Sequence, residues 1–86
     1  MHGQPQSRLK EDRPYASPEA AARKLLEIAQ AEISVSGLPY GYTGTWNSSF
    51  TRAGGSIAEY AEGRDYGITQ GWFTIDESGT RVTPLE

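Results

Sequence analysis

The 86-residue chain contains no cysteine, one histidine and no apolar run approaching the roughly 20 residues that a membrane-spanning helix needs. The absence of cysteine excludes disulfides, thiol nucleophiles, iron–sulfur clusters and thiolate zinc sites. The histidine, His2, lies in a segment that we predict to be flexible, so no histidine acid–base pair or serine triad forms on a rigid frame. We therefore predict a soluble, cytoplasmic, non-enzymatic protein without catalytic residues, metal, cofactor or membrane contact.

Charge and bulky residues are unevenly distributed along the chain. The whole sequence carries 8 Lys+Arg against 11 Asp+Glu, a net charge of −3, whereas residues 17–86 hold five basic and nine acidic residues. Among residues 1–16, Leu9 and Tyr15 are the only large apolar side chains after Met1. Such a segment buries too little surface to offset the entropy lost on ordering. We predict a flexible N-terminal tail over residues 1–16 and one small domain over residues 17–86.

Two serines mark predicted helix starts. Ser17 precedes a proline and an acid, which is typical of a helix N-terminus, and this first helix ends before Gly37. Its apolar face consists of Ala21, Ala22, Leu25, Leu26, Ile28, Ala29 and Ile33. Ser56 and Glu59 form a capping box that begins a second long helix, which ends near Gly71. The predicted core face of this helix consists of Ile57, Tyr60, Ala61, Gly67 and Ile68, with Glu59, Glu62 and Asp65 mostly elsewhere.

The remaining segments predict a short strand, a helical turn and a hairpin. Residues 43–46 favour the strand, and residues 47–53 favour a short helical turn. The C-terminal segment turns at Ser78 and Gly79, which predicts a β-hairpin. In this register apolar residues face each other and an acid faces a base: Ile75 pairs with Val82, Asp76 with Arg81, and Thr74 with Thr83.

This order of elements resembles the winged-helix variant of helix-turn-helix domains. The resemblance implies an α+β fold in which the long helix packs on the first helix and the hairpin closes one edge of the core. Several motifs are also similar to those of a group of short bacterial proteins of unknown function: Arg13-Pro14-Tyr15, residues 18–26, Gly54-Gly55-Ser56, Ala58-Glu59-Tyr60, Gly71-Trp72 and residues 77–80. That second resemblance implies no established activity.

DNA binding is the function that the winged-helix resemblance implies, and charge opposes it. The long helix carries Glu59, Glu62 and Asp65 against Arg64 alone, whereas affinity for DNA depends on cations that neutralise phosphates. A DNA-binding winged-helix transcriptional regulator therefore stays our alternative. Its candidate anion or nucleic-acid contacts are Arg52, Gly54, Gly55, Ser56, Arg64 and Arg81, with the glycine pair leading into a helix N-terminus.

Four aromatic residues lie close together in the least regular part of the chain: Tyr40, Tyr42, Trp46 and Phe50. Tyrosine and tryptophan are enriched in protein–protein hot spots, so these residues are candidate contacts with a protein partner. Filling of the intramolecular core is the competing interpretation. We predict a regulatory or interaction module that acts through protein contacts, with either an unknown protein partner or a second copy of itself.

Overall fold

The computed structural model describes residues 13–85, which form three helices and a three-stranded antiparallel sheet. The helices are α1 (Pro18–Ser36), α2 (Thr43–Arg52) and α3 (Ile57–Thr69), and the strands are β1 (Gly41–Tyr42), β2 (Phe73–Ile75) and β3 (Arg81–Pro84). The sheet has the strand order β1-β3-β2. This is a small α+β domain in which the first helix, the short strand, the long helix and the C-terminal hairpin follow each other in the predicted order. None of the three helices within this range has both the length and the apolar character needed to cross a bilayer.

Helix α1 begins and ends where its sequence signals lie. The Ser17 Oγ accepts a hydrogen bond from the backbone N–H of Ala20 at 3.1 Å, which satisfies one of the free amides of the first turn. At the other end Gly37 adopts a left-handed conformation with φ 78°, and its N–H donates to the Ile33 carbonyl. The buried residues Ala21, Ala22, Leu25 and Ala29 belong to the predicted apolar face, which confirms its orientation.

Helix α2 corrects our prediction for residues 43–53. The strand lies at Gly41–Tyr42, and Thr43–Arg52 forms a ten-residue helix in place of a strand followed by a turn. The glycine, threonine and serine residues of α2 have low helix propensity, so tertiary packing stabilises it. Trp46 and Phe50, one turn apart, are fully buried, and the Trp46 indole N–H donates to the Leu25 carbonyl at 2.6 Å.

Helix α3 begins at the predicted capping box but presents a different face to α1. The Ser56 Oγ accepts from the Glu59 N–H at 3.1 Å, and the Glu59 carboxylate accepts from the Ser56 N–H at 3.0 Å. The buried residues are Glu59, Gly63 and Gly67, whereas Ile57 is 82% exposed and Ile68 is 41% exposed. The predicted core face was therefore wrong at Ile57 and Ile68.

Close contact between the backbones of α1 and α3 explains why α3 buries a face different from the predicted one. A Cβ atom added to Gly63 would lie 2.6 Å from the Ala21 Cβ, so the two helices touch where α3 has no side chain. One turn later Gly67 lies against the Phe73 ring. Small residues thus bring α3 close to α1 and β2, and the larger isoleucines are turned outward.

The hairpin confirms the predicted register. Phe73 pairs with Pro84, Thr74 with Thr83, and Ile75 with Val82. The predicted acid–base contact between Asp76 and Arg81 forms differently, because the Asp76 carboxylate accepts from the backbone N–H groups of Thr80 and Arg81, each at 3.1 Å. The hydrogen bond from the Arg81 N–H is the main reason that the pKa of Asp76 lies below its usual value.

Residues 13–16, which we assigned to the flexible tail, pack on the domain. The Arg13 guanidinium donates to the Glu59 carboxylate at 3.0 Å, and the Tyr15 ring centroid lies 5.1 Å from that of Phe50. The Glu59 side chain is only 6% exposed, so Arg13 supplies the charge partner that a buried carboxylate needs. The packed structure therefore begins before residue 17, and the rest of the predicted tail, including His2, lies outside the described residues.

Candidate functional site

Two of the four predicted aromatic contact residues belong to the core. Trp46 and Phe50 are fully buried, and the Trp46 ring centroid lies 5.0 Å from that of Phe73 in an edge-to-face arrangement. Their spacing of one helical turn places both on the side of α2 that faces the rest of the domain. Their burial supports the core-filling interpretation for Trp46 and Phe50 and leaves neither side chain accessible to a partner.

The other two aromatic residues form a surface cluster with Arg81, which we call the tyrosine surface (Tyr40, Tyr42 and Arg81). The Tyr40 and Tyr42 rings are nearly perpendicular with centroids 5.5 Å apart, and the Arg81 guanidinium lies 4.8 Å above the Tyr40 ring. Tyr42 is 41% exposed. A hydrogen bond with the Tyr40 side chain raises the pKa of Tyr42 above its usual value.

Strand pairing is the reason that Arg81 joins the tyrosines. Tyr42 of β1 lies directly opposite Arg81 of β3, although the two residues are far apart in sequence. We predicted Arg81 as a nucleic-acid contact and the tyrosines as protein contacts. The structure brings these residues from separate predictions into one cluster.

A groove lies next to the tyrosine surface, between α1 and α2. It has a volume of about 440 Å³, and we call it the α1–α2 groove; its lining residues are Ile28, Ala31, Glu32, Val35, Ser36, Thr45 and Ser49. The Glu32 carboxylate accepts from the Tyr42 N–H at 3.2 Å, which connects the groove to the tyrosine surface. Sequence reasoning missed this groove, although the spacing of Ile28, Ala31 and Val35 places them on one side of α1.

A second groove, which we call the α3–hairpin groove, lies between α2, α3 and the hairpin. It has a volume of about 430 Å³ and is lined by Thr43, Gly44, Asn47, Tyr60, Arg64, Ile68, Ile75 and Gly79. The predicted contact residue Arg64 is here, with its guanidinium 5.8 Å from the Tyr60 ring and its Nε donating to Asp65 at 3.3 Å. Partial burial raises the pKa of Tyr60.

At the predicted anion site of Arg52, Gly54, Gly55 and Ser56, the backbone amides of the last three residues already have partners within the chain. The Gly54 N–H donates to the Thr51 carbonyl and the Gly55 N–H to the Phe50 carbonyl, each at 3.0 Å. The Ser56 N–H donates to Glu59, whose carboxylate therefore occupies the position that an anion would need. The local turn and the capping box account for these amides, and Arg52 is exposed at the end of α2.

Most cations of the described residues already contact carboxylates. Four ion pairs join Arg13 to Glu59, Arg23 to Glu19, Lys24 to Glu27, and Arg64 to Asp65, at 2.7–3.3 Å. On α3 the exposed residues include Glu62 and Asp65. The outward side of this helix is therefore acidic, as its sequence predicts.

Comparison with known proteins adds no relative. No family model matches the chain, and neither the curated proteins nor the solved structures contain a significant match. Between residues 13 and 85, no three histidine, aspartate or glutamate side chains are grouped closely enough to hold a metal ion. The two grooves and the tyrosine surface are the candidate functional features of residues 13–85.

Proposed function

We propose that this chain is a small, non-enzymatic interaction module of winged-helix-like architecture that acts through protein contacts. The element order α1-β1-α2-α3-β2-β3 and the strand order β1-β3-β2 support the architectural part of the proposal. The tyrosine surface beside the α1–α2 groove is the observation that supports the function. Tyrosine and arginine are among the residues that contribute most to binding energy in protein interfaces.

The arrangement of the tyrosine surface also favours binding energetically. Arg81 stacks on Tyr40, and Tyr40 stacks edge-to-face on Tyr42, so these side chains are partly ordered before a partner arrives. Side chains that are already ordered lose less conformational entropy on binding. The adjoining groove adds apolar area that a partner can cover, and Val35 on its wall is 89% exposed.

Site-specific photo-crosslinking tests the proposal. A benzophenone amino acid replaces Tyr42 in the full chain, and a matched control carries the same group in place of Thr69, which is exposed at the end of α3. We expect discrete covalent protein adducts from position 42 that disappear in the Arg81→Ala background, and none from position 69. Equal adduct formation at the two positions, or none at position 42, would contradict an interaction surface at the tyrosines.

DNA binding is the second candidate, and the α3–hairpin groove favours it. Arg64 lies in this groove, between the helix and the hairpin that the winged-helix resemblance assigns to DNA. The exposed Glu62 and Asp65 oppose it, because each repels the phosphates that a DNA-binding face must neutralise.

A salt titration separates the two candidates. Fluorescence anisotropy with a labelled mixed-sequence duplex measures affinity at increasing salt concentrations for the full chain and for Arg64→Ala. Our proposal predicts no binding at low micromolar protein. Binding that weakens steeply with salt, and that Arg64→Ala reduces, would favour the DNA-binding regulator.

A further inference from the structure

The residues that line the α1–α2 groove follow helical spacing on both walls. Four of its lining residues, Ile28, Ala31, Glu32 and Val35, follow the one-turn spacing of a single stripe on α1. On the opposite wall Thr45 and Ser49 are one turn apart on α2, and their small side chains permit close approach. A third helix fits between two such helices with apolar anchors at positions i, i+3, i+4 and i+7.

The negative charge of the groove favours a partner with a cationic side chain. Glu32 is the only charged residue among those that line it, and the Tyr42 N–H holds the Glu32 carboxylate in place. The last turn of α1 contains no basic residue, so the negative end of the helix dipole near Val35 and Ser36 has no opposing charge on α1. A cationic side chain on the partner would complement both features.

From these observations we infer that the groove binds an amphipathic helix of another protein, whose apolar face enters the groove and whose lysine or arginine lies beside Glu32. This inference rests on the proposed function and names the chemistry of its partner.

A second copy of this chain fits the groove poorly. In a two-fold dimer the same patch meets itself, which would bring Glu32 near the Glu32 of the partner subunit. Insertion of α3 from a second copy would also be unfavourable, because its exposed isoleucines Ile57 and Ile68 are accompanied by Glu62 and Asp65. The charges therefore favour a different protein with a basic helix.

NMR titration of the full chain with three synthetic peptides of equal length tests the inference. The first is an amphipathic leucine–lysine helix, the second has glutamate in place of lysine, and the third has the composition of the first with its leucines scattered. We expect the first peptide to shift the amide signals of Ile28, Ala31 and Val35. We expect the other two to bind at least about tenfold more weakly. Equal affinity for the lysine and glutamate peptides would overturn the inference.

Three variants separate the groove from the rest of the surface. Val35→Asn should weaken the lysine peptide by about tenfold, because it places a polar amide on the apolar wall without adding a charge that would attract lysine. The matched control Ile57→Asn alters a similarly exposed apolar residue on α3, 82% exposed against 89% for Val35, and should leave affinity unchanged. Glu32→Gln keeps an oxygen for the Tyr42 N–H but removes the charge, so the preference for lysine over glutamate should largely disappear.

Other occupants give different results. Concentration-dependent dimerisation that Val35→Asn abolishes would assign the groove to a second copy, and amide shifts caused by a peptide of residues 1–12 would assign it to this chain's own N-terminal segment. Either result overturns the inference. Photo-adducts at position 42 that persist in Val35→Asn, combined with no binding of the lysine peptide, would overturn it while leaving the proposed function standing. Absence of photo-adducts at position 42 in a chain whose groove residues are unchanged would contradict the proposed function itself.

Discussion

Replacing Gly63 by alanine tests the close contact between α1 and α3. The added Cβ atom would lie 2.6 Å from the Ala21 Cβ and 2.9 Å from the Ala21 carbonyl carbon. A backbone atom cannot rotate away as a side chain does, so the two helices must separate by about 1 Å to reach ordinary van der Waals distance. A gap of that size removes about a quarter to a half of the attraction of each affected atom pair.

The expected magnitude is the difference between two opposing effects. Alanine is favoured over glycine inside a helix by about 1 kcal/mol. Overpacking a well-packed interface costs roughly 1–3 kcal/mol, and contact with backbone puts Gly63→Ala near the upper end of that range. We therefore expect Gly63→Ala to lower the free energy of unfolding by about 2 kcal/mol, which corresponds to a decrease in Tm of roughly 8–16 °C for a domain of this size.

Urea unfolding followed by tryptophan fluorescence measures this loss, and Gly44→Ala provides a matched control. Nothing lies within 4 Å of a Cβ atom at Gly44 in α2, so alanine there should leave stability unchanged or raise it by about 0.5 kcal/mol. If Gly63→Ala is as stable as Gly44→Ala, the reasoning about helix contact is refuted.

Three further predictions concern the core, the hairpin and the capping box. Trp46→Phe removes the buried N–H that donates to the Leu25 carbonyl. It should lower the free energy of unfolding by about 2–3 kcal/mol in urea titrations. A change below about 0.5 kcal/mol would mean that this hydrogen bond contributes little. Ile75→Asp should lower the free energy of unfolding by about 2 kcal/mol, because it places a charge on the half-buried face of the hairpin. Thr74→Asp, on the exposed face, should lower it by under about 0.5 kcal/mol. Equal losses would mean that the faces are misassigned. The pKa of Glu59 is lowered in the folded state, mainly by the hydrogen bond from the backbone N–H of Ser56. The ionised Glu59 side chain therefore contributes its full stabilisation above the ordinary glutamate pKa of 4.5. This stabilisation is lost as the pH falls through the lower pKa of the folded state. Thermal unfolding of Glu59→Gln should therefore depend less on pH in the acidic range than that of the unmodified chain, and parallel pH profiles would contradict this.

Local signals account for what the sequence predicted correctly. The caps at Ser17 and Ser56 and the turn at Gly79 depend on residues within a few positions of each other, so short patterns are enough to recognise them. Helix α2 is different, because its residues have low helix propensity and it is stabilised by Trp46 and Phe50 in the core. Such burial depends on residues distant in sequence, which explains why residues 43–46 resembled a strand.

The orientation of α3 was not predictable for a related reason. Hydrophobic periodicity gives weight to large apolar residues such as Ile57 and Ile68, whereas the buried face uses Gly63 and Gly67 to bring two backbones together. The reason for a glycine at position 63 is evident only when the residue opposite it, Ala21, is known.

The candidate site was predicted in part. The position of Tyr40 and Tyr42 near the surface could be proposed from composition, but the contact with Arg81 required the pairing of β1 with β3. The α1–α2 groove likewise depends on how two helices meet, and no short motif encodes that arrangement.

The hydrogen bond between Glu32 and Tyr42 has a consequence for behaviour at high concentration. Tyr42 belongs to an outer strand, and its N–H points away from β3, where an unpaired amide would invite an extended segment of another molecule. The Glu32 carboxylate occupies that donor and adds a negative charge that repels further chains. Without this hydrogen bond the outer strand of the sheet would have a free amide, and fibrillar aggregation would be expected to nucleate there.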